Sequence, residues 1–371
     1  MTPEQKQVLD MRESGMSRSA ISTALGISER AVKHRLERAR AWVNADPLAR
    51  EAATVAGSEM IPHSLWKKTD THSIYYKFPQ TDAAQDDILA RVADAFKDIQ
   101  AYRHNPIAPR NDGLLTVYPL YDLHLGMHAW ARETRGQDYD LELAKADLIT
   151  SIKTVASRSP MSDTALVILG GDTLHVNDHF NETPGSKHHM DADGRFEKII
   201  DVAIEAISHA IEYLADRHAK VMVVVLRGNH DETSHVVLKA ALKQRYRLSS
   251  GIDFPVISGW DKSEIYWFQH GNALIACHHG DKMPPQRLAM IVADQCPFWS
   301  SSKRRVILTG HLHSMKVQDF PGVTHFTLRA FCPADAYGAT FGGVRGLSAM
   351  SFCDKKGLVN MTFDPMERGA E

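Results

Sequence analysis

Apolar positions along this 371-residue chain keep a helical period at first, then settle into a repeat of short apolar run followed by polar cluster. Thr2-Pro3-Glu4 predicts a helix start, with proline early and an acid in the first turn, and Gly15 predicts its end. Ser17 predicts the cap of a second helix through Ala24, with Ile21 and Leu25 turned inward. Gly26 allows a tight turn, Ile27 plugs the core, and Ser28 caps a third helix running to about Trp42. Helix, glycine turn and helix at this spacing outline a helix-turn-helix over residues 1–44. Ala45-Asp46-Pro47 breaks the pattern, and residues 45–110 read as a linker and partly helical connector. Within that connector residues 74–78 suit a short strand. Residues 86–102 carry a helical period through Ile88, Leu89, Val92, Phe96 and Ile99.

From residue 114 each apolar run predicts a strand buried on both faces, and each ends in a cluster of polar residues. Residues 115–121 lead to Asp122-Leu123-His124, and 165–169 lead to Gly171-Asp172-Thr173-Leu174-His175. Residues 221–226 lead to Gly228-Asn229-His230-Asp231. Residues 273–277 lead to His278-His279-Gly280-Asp281, and 306–308 to Gly310-His311-Leu312-His313. Between them Phe196, Ile199, Ile200, Ala203, Ile207, Ile211 and Leu214 mark one face of a long amphipathic helix. Strands alternating with helices predict an α/β domain over residues 111–371, with the clusters at the carboxyl ends of its strands. The glycines at 338, 342, 343 and 346 predict closing strands and turns with no chemistry of their own.

A net charge of −2 excludes a polybasic coat, so any attraction to nucleic acid must come from a local patch. Residues 28–42 provide one. Arg30, Lys33, Arg35, Arg38 and Arg40 face only Glu29 and Glu37, a net +3 on one helix. With Ala31, Val32 and Leu36 turned inward, Arg30, Lys33, His34 and Arg38 point outward, suited to phosphates or base edges of DNA. Such a module, monomeric and with few base readers, is expected to tether rather than to choose a sequence. Cys277, Cys296, Cys332 and Cys353 lie far apart without a Cys-x-x-Cys pair, which suggests a reduced cytoplasmic protein lacking disulfides and structural zinc. The polar N-terminus does not read as a signal peptide, and no apolar run approaches membrane-spanning length, so no membrane partner is expected.

The clusters hold the donors that two adjacent divalent cations require. One Asp can bridge both ions, imidazoles and an amide oxygen complete the shells, and a water held between them loses a proton near neutral pH and attacks phosphorus. A histidine outside the ligand set can protonate the leaving oxygen. Alone, an Asp-x-His after a strand is an ordinary surface turn. All five clusters in this order resemble the calcineurin-like metallophosphoesterase superfamily, over about residues 112–330. The resemblance implies an α/β/β/α sandwich preceded by the small all-α module. It implies that Asp122, His124 and His313 bind the first metal, that Asp172 bridges, and that Asn229, His279 and His311 bind the second. His279 is taken over its neighbour His278 because the family's fourth ligand directly precedes a glycine. It further implies His230 as the catalytic histidine, supported by Asp231, and Mn²⁺ as the expected metal, with Fe, Zn, Ni or Mg as the others.

Protein-phosphatase members end the second motif in Asp, where this chain has His175. In that respect it is similar to the double-strand-break repair nucleases, whose histidine there helps to position DNA. The polar stretch 176–197 resembles a loop of phage- and prophage-encoded DNA repair exonucleases. Residues 19–28 resemble the helix-turn-helix of response regulators and sigma factors. Together these imply a metal-dependent DNA nuclease in the cytoplasm of a bacterium or a phage host. Related nucleases are often dimers that work with an ATPase, and no Gly-x-x-x-x-Gly-Lys motif occurs here, so such a motor would be a separate chain. The alternatives are a phosphatase or phosphodiesterase acting on nucleotides, RNA ends or phosphoproteins, and a non-catalytic DNA-binding regulator or packaging accessory.

Overall fold

A computed structural model describes residues 2–45, 50, 53–54, 64–68, 73–77, 101–104, 106–110, 112–134, 136–185, 187–255, 264–335 and 344–366. The chain divides into two compact units, residues 1–90 and 91–371. In the first, α1 (Pro3–Glu13), α2 (Arg18–Leu25) and α3 (Glu29–Asn44) form the helical module. Ser17 and Ser28 cap α2 and α3 as expected, accepting from Ala20 N and Ala31 N, and Thr2 caps α1 by accepting from Gln5 N. Thr2 and Gln5 close a full capping box, and Gly26 ends α2 in the left-handed region at φ 63°. Val8, Leu9, Ile21, Val32, Leu36 and Ala39 are buried together, with Leu25 and Ile27 packed against them. The connector holds an antiparallel hairpin of β1 (Ser64–Lys68) and β2 (Ser73–Lys77). The strand expected at 74–78 is therefore β2. Its partner β1 lies in the stretch read as linker and connector, where no strand was expected. Most of the helix expected at 86–102 lies outside the described residues.

The second unit starts with β3 (Leu114–Leu120), a short α4 (Ala131–Thr134), α5 (Leu141–Arg158) and β4 (Thr164–Leu169). It continues through α6 (Phe196–Ala215), β5 (Lys220–Val225), α7 (Ser234–Arg245) and β6 (Ile252–Asp253). Then come β7 (Tyr266–His270), β8 (Ala273–Cys277), α8 (Pro285–Gln295) and β9 (Arg304–Thr309). The last strands are β10 (Lys316–Phe320), β11 (Val323–Thr327), β12 (Gly346–Cys353) and β13 (Gly357–Pro365).

Two sheets result. The first has the order β13-β12-β3-β4-β5-β6, parallel from β3 to β6, and the second the order β10-β11-β9-β8-β7, parallel across β11, β9 and β8. Alternation along each strand decides what meets what. Ala165, Val167 and Leu169 of β4 pack under α5 and α6, whereas Leu166 and Ile168 face the second sheet and meet Ile275 and Leu308. On the far side Leu274, Ala276 and Ile307 pack against Leu288 and Val292 of α8. Each of the buried Val, Leu and Ile side chains is worth roughly 1.5–3 kcal/mol. The layers are helix, sheet, sheet, helix, the α/β/β/α sandwich expected.

The polar stretch after His175 is tied down rather than loose. Met127 bridges Ala192, Glu182 bridges His189, and Val176 and Met190 are buried.

Candidate metal centre

The five clusters meet at one end of the two sheets. β3, β4 and β5 of the first sheet deliver Asp122 and His124, Asp172 and His175, and Asn229 and His230. β8 and β9 of the second deliver His279, His311 and His313. The backbone at these posts is unusual. Asp122, His124, Asp172, His311 and His313 all have positive φ, between 45° and 67°, although none is glycine. Each such residue costs on the order of 1 kcal/mol or more, and such strain gathers at functional sites. The chain turns back sharply after its strand, so side chains and amides converge on one point.

Donor atoms of Asp122, His124 and Asp172 lie within 4.8 Å of one another, and so do those of Asp172, His279 and His311. Asp172 belongs to both groups, as a shared carboxylate would. His313 Nε2 is 3.6 Å from Asp122 Oδ1. His279 Nε2 lies 3.1 Å from both Asp172 Oδ2 and Asn229 Oδ1. Its Nδ1 is 3.1 Å from the Gly170 carbonyl and must donate to it, because a carbonyl only accepts. The Nε2 lone pair would then face two oxygen acceptors, an arrangement that needs a cation in the middle. Without a metal a proton takes that place. Burial works against charge on His279, but the Asp172 carboxylate prevails and raises the imidazole to about 10. Burial likewise opposes charge on Asp172, yet His279 above all holds its carboxyl well below the usual range. His124 and His175 are pushed the other way, His175 to about 3, first by burial and then by His230. They stay neutral, the form a metal ligand requires. His124 Nε2 is buried without a hydrogen-bond partner, 3.9 Å from Asp172 Oδ2. The donor set thus fits two divalent ions.

Beside this set, His230 Nδ1 is 3.1 Å from the His175 carbonyl and donates to it, which leaves Nε2 for other partners. Its ring stacks on His175 at 5.4 Å and stands edge-on to His124 at 4.7 Å. His175 Nδ1 also lies 3.1 Å from His124 Nδ1. Asp231 supports the site differently from the expectation. Its buried carboxylate does not meet the His230 ring but accepts the backbone N–H groups of Asp172, Thr173, Leu174 and Gly228. It fixes the loop that carries Asp172. His278 turns away, taking the Gly280 N–H at Nδ1.

Two glycines are demanded by close approach. A side chain at Gly228 would overlap the Asp172 carboxylate, and one at Gly310 would overlap the Asp122 carboxylate and Tyr121. Sequence reasoning missed Arg227, which is mostly buried and pairs with Glu232, Glu264 and Asp281, clamping the loop that carries Asn229. Its place next to Gly228-Asn229 was the available signal. It also missed Cys332, whose sulfur lies within 4.8 Å of donor nitrogens of His124 and His313. Nothing in the sequence around Cys332 marks it.

In the helical module Arg30, Lys33, His34 and Arg38 are all exposed on α3. Lys33 and His34 share Glu37 at 3.8 and 3.4 Å. Among the described residues no helix is long and apolar enough to cross a membrane.

Residues 1–43 match the family model described as sigma-70, region 4. Among solved structures the chain is similar to a novel archaeal phosphodiesterase at 11% identity, covering 68% of this chain and 99% of that one, with a TM-score of 0.35. It is similar to Yfce, a phosphoesterase from E. coli, at 12% identity over 67% and 98% of the two chains, with a TM-score of 0.32. A third similarity is to Vps29 complexed with Zn²⁺ from Entamoeba histolytica, at 12% identity over 68% and 99%, with a TM-score of 0.27. No curated protein matches the chain.

Proposed function

We propose that this chain is a two-metal phosphodiesterase that cuts DNA, held on its substrate by the N-terminal helical module. One observation carries the chemistry: the Asp172 carboxylate sits in both donor groups, with neutral or carboxylate-facing imidazoles on either side. A pair of divalent cations bound there would supply Lewis-acid stabilisation of the phosphoryl oxygens and acidify a water for attack. Asp122, His124 and His313 would hold one ion and Asn229, His279 and His311 the other, with the Asp172 carboxylate available to both. Mixed carboxylate, amide and imidazole donors of this kind can take Mn²⁺, as well as Fe²⁺ or Zn²⁺.

The chain's own residues do the rest. His230, half-buried beside the buried His124 and Asp172, keeps Nδ1 engaged by the His175 carbonyl and so presents Nε2 to the substrate. Through that nitrogen it delivers a proton to the departing oxygen. His175, itself buried, fixes the ring from one face and so helps to position the scissile strand through His230. Asp231 keeps the Asp172 loop in register from below. DNA as the polymer is supported by the exposed Arg30, Lys33, His34 and Arg38 and by the sigma-70 region 4 match.

The test is hydrolysis of labelled linear duplex and single-stranded DNA by the purified chain with Mn²⁺. Degradation is expected, and Asp172→Ala or His230→Ala should abolish it. Metal-loaded protein that leaves every DNA and RNA form intact sinks the nuclease reading. Turnover of nucleotides or phosphomonoesters in its place would assign the same centre to the small-substrate alternative.

A further inference from the structure

Cys332 lies five residues beyond the end of β11, in a segment hydrogen-bonded to the loop that carries the first metal's ligands. Phe331 N donates to the Tyr121 carbonyl and Cys332 N to the Asp122 carbonyl at 3.1 Å. The thiol is 2% exposed, and its sulfur lies within 4.8 Å of ring nitrogens of His124 and His313. His124, itself buried, has an Nε2 without a hydrogen-bond partner. Buried polar nitrogens are rarely left unpaired, and this one sits among a carboxylate, a second imidazole and a thiol.

We infer that Cys332 is a protein ligand of the first cation, beside Asp122, His124 and His313, so that the two metal positions are chemically unequal. This rests on the two-metal reading and goes beyond it. The first position offers sulfur, two imidazoles, the Asp122 carboxylate and the shared Asp172, a set whose sulfur favours a borderline-soft ion such as Zn²⁺ or Fe²⁺. The second offers only nitrogen and oxygen, which suits Mn²⁺. As the sulfur–metal bond forms, the thiol proton leaves to solvent and no electron changes hands. A thiol that was merely filling the core would make no such bond.

The experiment loads the full chain with Co²⁺ and reads its spectrum and metal content together. Unmodified protein should show a near-ultraviolet sulfur-to-cobalt charge-transfer band at two ions per chain. Cys332→Ser and Cys332→Ala should lose the band. In competition between Zn²⁺ and Mn²⁺, Cys332→Ser should lose roughly tenfold or more of the preference for one Zn²⁺ per chain, with the second ion unaffected. Two ions per chain without the band in the unmodified protein overturns the Cys332 assignment and leaves the metal centre standing. No bound ion overturns both. The measurement on unmodified protein does not depend on either variant folding.

Discussion

A methyl group at Gly228 would occupy the space of the Asp172 carboxylate. Gly228→Ala should therefore lose bound metal and phosphodiester hydrolysis together while its far-ultraviolet circular dichroism stays unchanged. Metal retained at two ions per chain would contradict that account. His230→Ala acts on a different quantity. It should keep both ions and lower kcat by roughly 10²–10⁴-fold, as removal of a proton donor does, which metal analysis beside steady-state kinetics will show. The ligand types were legible because Asp, Asn and His followed apolar runs five times in order. The conformation that makes them converge was not. Left-handed backbone at Asp122, His124, Asp172, His311 and His313 leaves no glycine to betray it. Cys332 was invisible for a related reason: its nearness to His124 is created by a pairing across more than two hundred residues.

At the scale of elements, the helical module was the most readable part, since each start was written in a local hydroxyl and each stop in a glycine or a break. Ser28→Ala should cost the start of α3 about 1 kcal/mol. Hydrogen exchange of the amides near Ala31 and Val32 should report that loss, and unchanged protection would deny the cap. Replacing Arg30, Lys33 and Arg38 together by alanine should weaken DNA binding at all sequences and flatten its dependence on salt. Hydrolysis of a small phosphodiester should be unaffected, and a drop in that rate would argue against a mere tether. The strands of the larger unit were legible as apolar runs, but not their order. That β12 returns to pair with β3 from the far end of the chain has no local signature.

For the molecule as a whole, acid is a probe of the interior. His218 is buried between Tyr118 and Ser162, with its Nδ1 donating to the Ser162 carbonyl at 2.8 Å. Burial, more than the partial offset from that bond, lowers the imidazole from 6.5 to about 4. The unfolded chain takes up the proton first, so this contribution to stability is complete above about pH 6.5 and drains away as pH falls towards about 4. It is on the order of 3 kcal/mol. Guanidinium unfolding at pH 7 and pH 4 should show a smaller acid loss in His218→Gln than in the unmodified chain, and equal losses would refute it. The ligand posts have a different consequence, because they belong to separate sheets: Asp122, Asp172 and Asn229 to one, His279, His311 and His313 to the other. Ions gripping both would act as a clasp across the seam of the sandwich. Stripped by a chelator, the protein should let its two halves breathe apart at that end, with amides after β8 and β9 opening to solvent long before those in the middle of the strands.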